Sequence, residues 1–257
     1  MDILKNLPLA LFGNLSPAEL ARYEKQLLVP EWGQAAQERV KGARVFVAGG
    51  GSLVASAAFT LVTAGVGHLR VVDLERVGLT DLGDQVLYRE RDLSKPKVTI
   101  LQQRLQEINP FASIEGWERK VSEHNVLKIT QGSNLLLADL HERGHAQALN
   151  RAAIKYRLPL LLGWTEGWRG FLVTLQPGQG LCLACTSLDE RPSNSRALLA
   201  PLTAIMGGLM ALESLRILSG GEPALLERLF GFDGDLCRCL EEPLLRKPAC
   251  LACGRNL

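Results

Sequence analysis

Between residues 43 and 76 the chain reads as a strand, a glycine turn, a helix and a second strand ending on an acid. Val45-Phe46-Val47-Ala48 is an apolar run of the length of a short buried strand. Gly49-Gly50-Gly51-Ser52 follows, a turn too tight for most side chains. Residues 54–64 continue as an apolar helix closed by Gly65-Val66-Gly67, and Leu69-Arg70-Val71-Val72-Asp73 is the next strand. A unit of this order, about 30 residues long, is the first half of a nucleotide-binding α/β fold. Its glycine loop, with Gly49 and Gly51 as the candidate contacts, would bring backbone N–H groups and a helix N-terminus to a phosphate. Asp73 would take a ribose hydroxyl.

The alternation continues along the chain. The apolar spacing of Val98, Leu101 and Leu105 predicts a helix over 97–108. Strands are expected at 134–139, 159–163 and 171–175, the last antiparallel to its neighbour, with a helix over 145–156 between the first two. Segment 186–196 is polar and reads as a loop. Ahead of the unit, Ser16-Pro17 starts a helix expected to run to residue 28, with Ser16 as N-cap. A second helix, 32–40, should end with Gly42 as its cap. The fold class is therefore α/β: a Rossmann-like, mainly parallel sheet flanked by helices, with an antiparallel extension. With 257 residues, 47% of them hydrophobic, one large core is expected rather than two small ones. The reading divides the chain into a helical segment, 1–42, and an α/β domain, 43–257.

A net charge of +2 predicts no nucleic-acid surface. No run reaches the roughly 20 unbroken apolar residues of a membrane span, and the apolar stretch 7–12 follows Asp2 without a cleavage site. No membrane association is expected, and a cytoplasmic location follows. Segment 200–219 is a helix too apolar all round to face water, with Gly207-Gly208 permitting close backbone approach. It is expected to be buried or to form a subunit interface, in a homodimer or in a heterodimer with a paralogue.

All six cysteines lie after residue 181. Four form two Cys-x-x-Cys pairs, Cys182-Leu183-Ala184-Cys185 and Cys250-Leu251-Ala252-Cys253. Two such knuckles complete a tetrahedral thiolate shell, the ligand set of structural zinc. They define a zinc-knuckle region, 180–257. Cys237 and Cys239, one residue apart, would point to opposite faces of an extended segment and are read as thiols without chemistry.

The order of these features resembles the ThiF/MoeB/HesA family, bacterial relatives of ubiquitin-activating enzymes. Arg22-Tyr23-Glu24-Lys25-Gln26 is similar to that family's Arg-Tyr-x-Arg-Gln opening. Ala64-Gly65-Val66-Gly67, the strand ending Asp73-Leu74-Glu75-Arg76-Val77, Lys95-Pro96-Lys97 and Ile108-Asn109-Pro110 match further motifs, as do the apolar helix and both knuckles. The resemblance implies ATP-Mg, and a partner of the ubiquitin fold, a sulfur-carrier protein ending in Gly-Gly whose carboxylate is adenylated. It assigns Asp73 and Glu75 to the nucleotide, Lys97 to its phosphates, and Lys25 to the place of the opening's Arg. Trp164 and Trp168 flank the strand that closes the site and could fill nucleotide space, ordinary packing being the plainer reading.

The chain departs from the pattern where the chemistry should be. The family's Gly-x-Gly-Gly-x-Gly reads Gly49-Gly50-Gly51-Ser52-Leu53-Val54, with Val54 expected to crowd the loop. Its Ser-Asn-Leu-x-Arg-Gln becomes Thr80-Asp81-Leu82-Gly83-Asp84-Gln85, so a carboxylate stands in place of a phosphate-facing Arg. His141 aligns with its magnesium acid. These changes predict weak or lost ATP-Mg binding. Three readings stay open: an active adenylating enzyme with an altered site, a catalytically silent scaffold or partner of an active paralogue, and a binder of a different small ligand.

Overall fold

A computed structural model describes residues 14–177, 180–192, 197–247 and 250–253. The chain opens with α1 (Pro17–Arg22), α2 (Glu24–Leu27) and α3 (Gly33–Gly42). Ser16 caps α1 as expected: its hydroxyl accepts from Glu19 N–H, and Glu19 accepts in return from Ser16 N–H at 2.9 Å. The helix expected over 17–28 breaks at Tyr23, which is buried and accepts a 2.9 Å bond from Asn109 Nδ2. Gly42 is the last residue of α3, and the C-cap falls on Ala43.

The central units are β1 (Arg44–Ala48), α4 (Ser52–Thr63), β2 (His68–Asp73), α5 (Lys97–Ile108), β3 (Ser113–Glu118), α6 (Val126–Ile129), β4 (Leu135–Asp139), α7 (Arg143–Tyr156) and β5 (Leu160–Glu166). After them come β6 (Arg169–Leu175), α8 (Leu183–Thr186), α9 (Ala200–Ser219), β7 (Arg228–Asp233) and β8 (Arg238–Pro243). The strands form one sheet in the order β3-β2-β1-β4-β5-β6-β7-β8. Pairs from β3 through β5 are parallel, and those from β5 through β8 are antiparallel. β3, β7 and β8 add to the strands expected from the sequence.

β1, β4 and β5 are buried on both faces, which is why they read as apolar runs. Val45, Val47, Leu69, Val71, Leu135 and Leu137 face a core shared with α4, α5 and α9. Phe46, Ala48, Val72, Leu136 and Ala138 face the opposite core, closed by α7 and the cysteine region. α9 has the length and apolar content of a membrane span, yet most of it is buried within the protein. Gly207 lets it lie directly against Ser56 of α4, and Met206 packs on Gly170 of β6. Ile205 and Leu212 remain exposed on its outer side.

Candidate functional site

β1 and β4 are neighbours whose crossovers run to opposite faces, so the sheet opens a crevice beyond their carboxyl ends, where doubly wound folds place ligands. The glycine loop forms its floor. Gly49 adopts φ +99°, a left-handed conformation that side chains resist. At Gly50 a Cβ would meet Asp73, Leu101 and Tyr88 within 3.2 Å. Gly51 is the N-cap of α4, with open space where its Cβ would be.

Asp73 is tied into this loop. Its Oδ2 accepts Gly50 N–H at 2.6 Å and its Oδ1 accepts Glu75 N–H at 2.8 Å. The Tyr88 hydroxyl donates to Gly50 O, and burial, reinforced by the Asp73 charge, holds this phenol above its ordinary pKa. Lys97, at the first position of α5, is buried between two carboxylates: Glu75 Oε2 at 2.7 Å and Asp81 Oδ1 at 3.0 Å. Burial alone would depress its ammonium, but these two partners outweigh it and hold the pKa above the usual lysine value.

Asp84 stands beside the start of α4, where the Ser52 hydroxyl bonds it. Burial holds its carboxyl above the usual range, the Ser52 contact offsets part of that, and the Asp81 charge adds to it. On the β4 side, Asp139 Oδ1 accepts His141 N–H at 2.9 Å and lies 3.1 Å from His141 Nδ1. That contact raises the imidazole pKa against the effect of burial. His145 Nδ1 lies 4.0 Å from where a Gly49 Cβ would stand. Of the five buried side-chain polar atoms without a partner among the described residues, four belong to segments flanking this crevice: Asp84 Oδ1, Gln85 Oε1, His141 Nε2 and His145 Nδ1.

Other expected site residues fall elsewhere. Val54 is fully buried in the core under α4 and does not crowd the loop. Lys25 is exposed on α2, with no ion pair among the described residues. Trp164 is buried and stacks on Phe171 at 4.6 Å, whereas Trp168 is exposed and fills no nucleotide space. Tyr88, Gln85 and His145 were not singled out from sequence. His145 alone carried a signal, its spacing of four from His141 across the start of α7.

The four paired cysteines come together. Their sulfurs all lie within 4.8 Å of one another, and Cys182 Sγ is 3.8 Å from Cys250 Sγ. Four thiolates bound tetrahedrally at about 2.3 Å stand roughly 3.8 Å apart, so the cluster fits a single metal ion. Cys185 Sγ also accepts Cys182 N–H at 3.1 Å, and the Arg246 guanidinium lies 3.6 Å from Cys253 Sγ. Cys237, in a left-handed turn, and Cys239, on β8, are exposed and outside the cluster.

A parallel sheet with its glycine loop at the switch point, extended by antiparallel strands and a four-cysteine cluster, is a doubly wound α/β protein of the Rossmann-like class. The chain belongs to the ThiF family, whose model matches residues 23–252. It is 34% identical over 246 residues to the heterocyst protein HesA of Trichormus variabilis, covering 95% of this chain and 92% of that one. It is 31% identical over 247 residues to the sulfur carrier protein adenylyltransferase of Thermus thermophilus, covering 92% and 91%. The sulfur carrier protein ThiS adenylyltransferase of Escherichia coli is 30% identical over 247 residues, covering 93% and 97%. The crystal structure of E. coli MccB with ATP shares the fold at a TM-score of 0.79 and 20% identity, covering 91% of this chain and 74% of that one.

Proposed function

We propose that this chain binds the carboxyl-terminal Gly-Gly tail of a ubiquitin-fold, sulfur-carrier-like protein on an adenylating-enzyme scaffold, with its ATP-Mg chemistry attenuated or lost. The carrier is supported by two relatives that are sulfur carrier protein adenylyltransferases. The loss rests on one observation. Lys97, the only buried lysine of the crevice among the described residues, is already neutralised by Glu75 and Asp81, while the Asp84 carboxylate stands at the first turn of α4.

A triphosphate needs free cations and an unoccupied helix N-terminus. A carboxylate about 4 Å from a phosphate oxygen repels it by roughly 4 kcal/mol at an effective dielectric of 20. The neutralised Lys97 and the Asp84 carboxylate do not fit a triphosphate. The cysteine cluster would hold a structural Zn²⁺, whose closed thiolate shell leaves no position for substrate. The exposed Ile205 and Leu212 of α9 favour assembly through this helix, with a second copy or with an active paralogue that this chain would serve as a silent partner.

The test is calorimetric titration with ATP-Mg and, separately, with a Gly-Gly-ending carrier, followed by carrier-dependent pyrophosphate exchange. Carrier binding without measurable exchange is expected. Asp84→Arg combined with His141→Asp should restore part of the nucleotide binding. Val54 is left alone because its side chain belongs to the core. Micromolar ATP affinity with exchange in the unaltered protein would return the chain to the active enzymes.

A further inference from the structure

On the face of the sheet where β1 and β4 carry Phe46, Ala48, Leu136 and Ala138, the outer strands carry Arg70 and Trp117. The reason lies in the cover. α7 closes this face over β4 and β5, but the connection from β3 to β4 contains only the four-residue α6. The end of α6 and the outer strands bound a cleft of about 500 Å³, lined by Arg70, Trp117, Glu118, Arg119 and Lys128 among others. No glycine-loop residue and no cysteine lines it, although its rim adjoins Asp73, whose backbone carbonyl accepts Arg119 N–H at 3.2 Å.

The cleft holds cations in prepared positions. Arg70 is fixed by Glu115 Oε2 at 2.8 Å, by the Ile129 carbonyl at 2.8 Å and by the Trp117 ring at 4.1 Å. Those bonds use its Nε and Nη1, and no bond to its Nη2 falls among the described residues. Arg119 lies 5.4 Å from the same ring, and neither it nor Lys128 has a carboxylate partner among the described residues. Glu118, the acid on the rim, is 3.3 Å from Arg76. A guanidinium anchored on one edge, a second guanidinium and an ammonium converge on one concave surface. Arginine forks and lysine point charges are the donors that charged oxygen groups take.

We infer that the cleft between β3 and α6 is a binding site for a phosphoryl oxyanion, with Arg70 as its fixed donor and Arg119 and Lys128 closing on the ligand from solvent. Two exposed cations beside one fixed fork match a dianion better than the single charge of a carboxylate. Binding should weaken as salt rises, because Arg119 and Lys128 are exposed.

The 257-residue chain is titrated with inorganic phosphate, pyrophosphate and acetate by calorimetry, with tryptophan fluorescence as a second reading because Trp117 lies in the wall. Saturable binding of one phosphate per chain is expected, with pyrophosphate tighter and acetate not saturating. Arg119→Gln together with Lys128→Gln should weaken phosphate at least about tenfold while leaving the unfolding midpoint nearly unchanged, because both side chains are exposed and neither has a carboxylate partner among the described residues. Non-saturating phosphate titrations, equal affinity for acetate, or a double variant that binds phosphate like the parent would each overturn the site.

Discussion

His141 replaces an expected magnesium acid and brings an ionisable group of its own to the crevice. Its imidazole pKa is held above the ordinary histidine value by the hydrogen bond to Asp139, against the effect of burial. The sign follows from linkage: a group whose pKa is raised on folding stabilises the native state fully below its unfolded pKa, and the gain disappears as pH rises through the folded value. His141→Asn should therefore cost most on the acid side, with the two stabilities converging as pH rises. Urea unfolding across about pH 5 to 8 checks this, and a gap of constant size would remove the His141–Asp139 pair as its cause. Residue identities alone told only part of this site. Gly49 and Gly51 could be read from their spacing, but the commitment of Asp73 to Gly50 N–H and Glu75 N–H depends on how the loop closes. Lys97 reads as a phosphate ligand until Glu75 and Asp81 are brought to it by a connection that no local pattern encodes. Val54 could have been placed correctly, since Val54, Ala58 and Leu61 share one helical stripe and all three are fully buried.

The packing of α4 against α9 gives a contrast between adjacent glycines. A Cβ on Gly207 would meet Ser56 Cβ at 2.5 Å, Ser56 Oγ at 2.6 Å and Ala57 N at 3.0 Å. A Cβ on Gly208 would meet nothing within 4 Å. Gly207→Ala must push two helices apart at the heart of one core, and should destabilise by about 2 kcal/mol despite alanine's better helix propensity. Gly208→Ala gains the propensity alone and should stabilise by up to about 1 kcal/mol. Denaturant midpoints of the two variants measure the difference, and equal effects would mean that the helices are not in contact at Gly207. Elements with a strong apolar signal were legible: α5, by the spacing of its apolar residues, and α9, by being apolar all round, have the expected bounds. β3 was not, because Gly116 and two glutamates interrupt its apolar pattern and Ile114 is its only buried residue. β8 is exposed at all six positions and pairs only with β7, so nothing in its side chains announces a strand.

At the scale of the molecule, the cysteine cluster joins parts of the chain that the sheet alone leaves loosely tied. Cys182 and Cys185 follow β6, whereas Cys250 and Cys253 come after β8, with α9 and the β7–β8 hairpin between the two pairs. A cross-link from residue 185 to residue 250 removes loop-closure entropy from the unfolded chain, worth about 4 kcal/mol in the simplest polymer estimate. The cluster belongs to the core on the α7 side of the sheet, and no cysteine belongs to the core on the α4 side. Loss of the metal should therefore act unevenly. Purified protein should carry one zinc per chain by elemental analysis, and Cys250→Ser with Cys253→Ser should remove it. The metal-free variant should unfold at lower temperature, with amide exchange accelerated first in α7, α8 and β8 while α4 and α5 stay protected. A protein stripped of metal that keeps its melting temperature and exchange pattern would show that the thiol cluster is packing alone, with the sheet and α9 supplying the stability assigned to the ion.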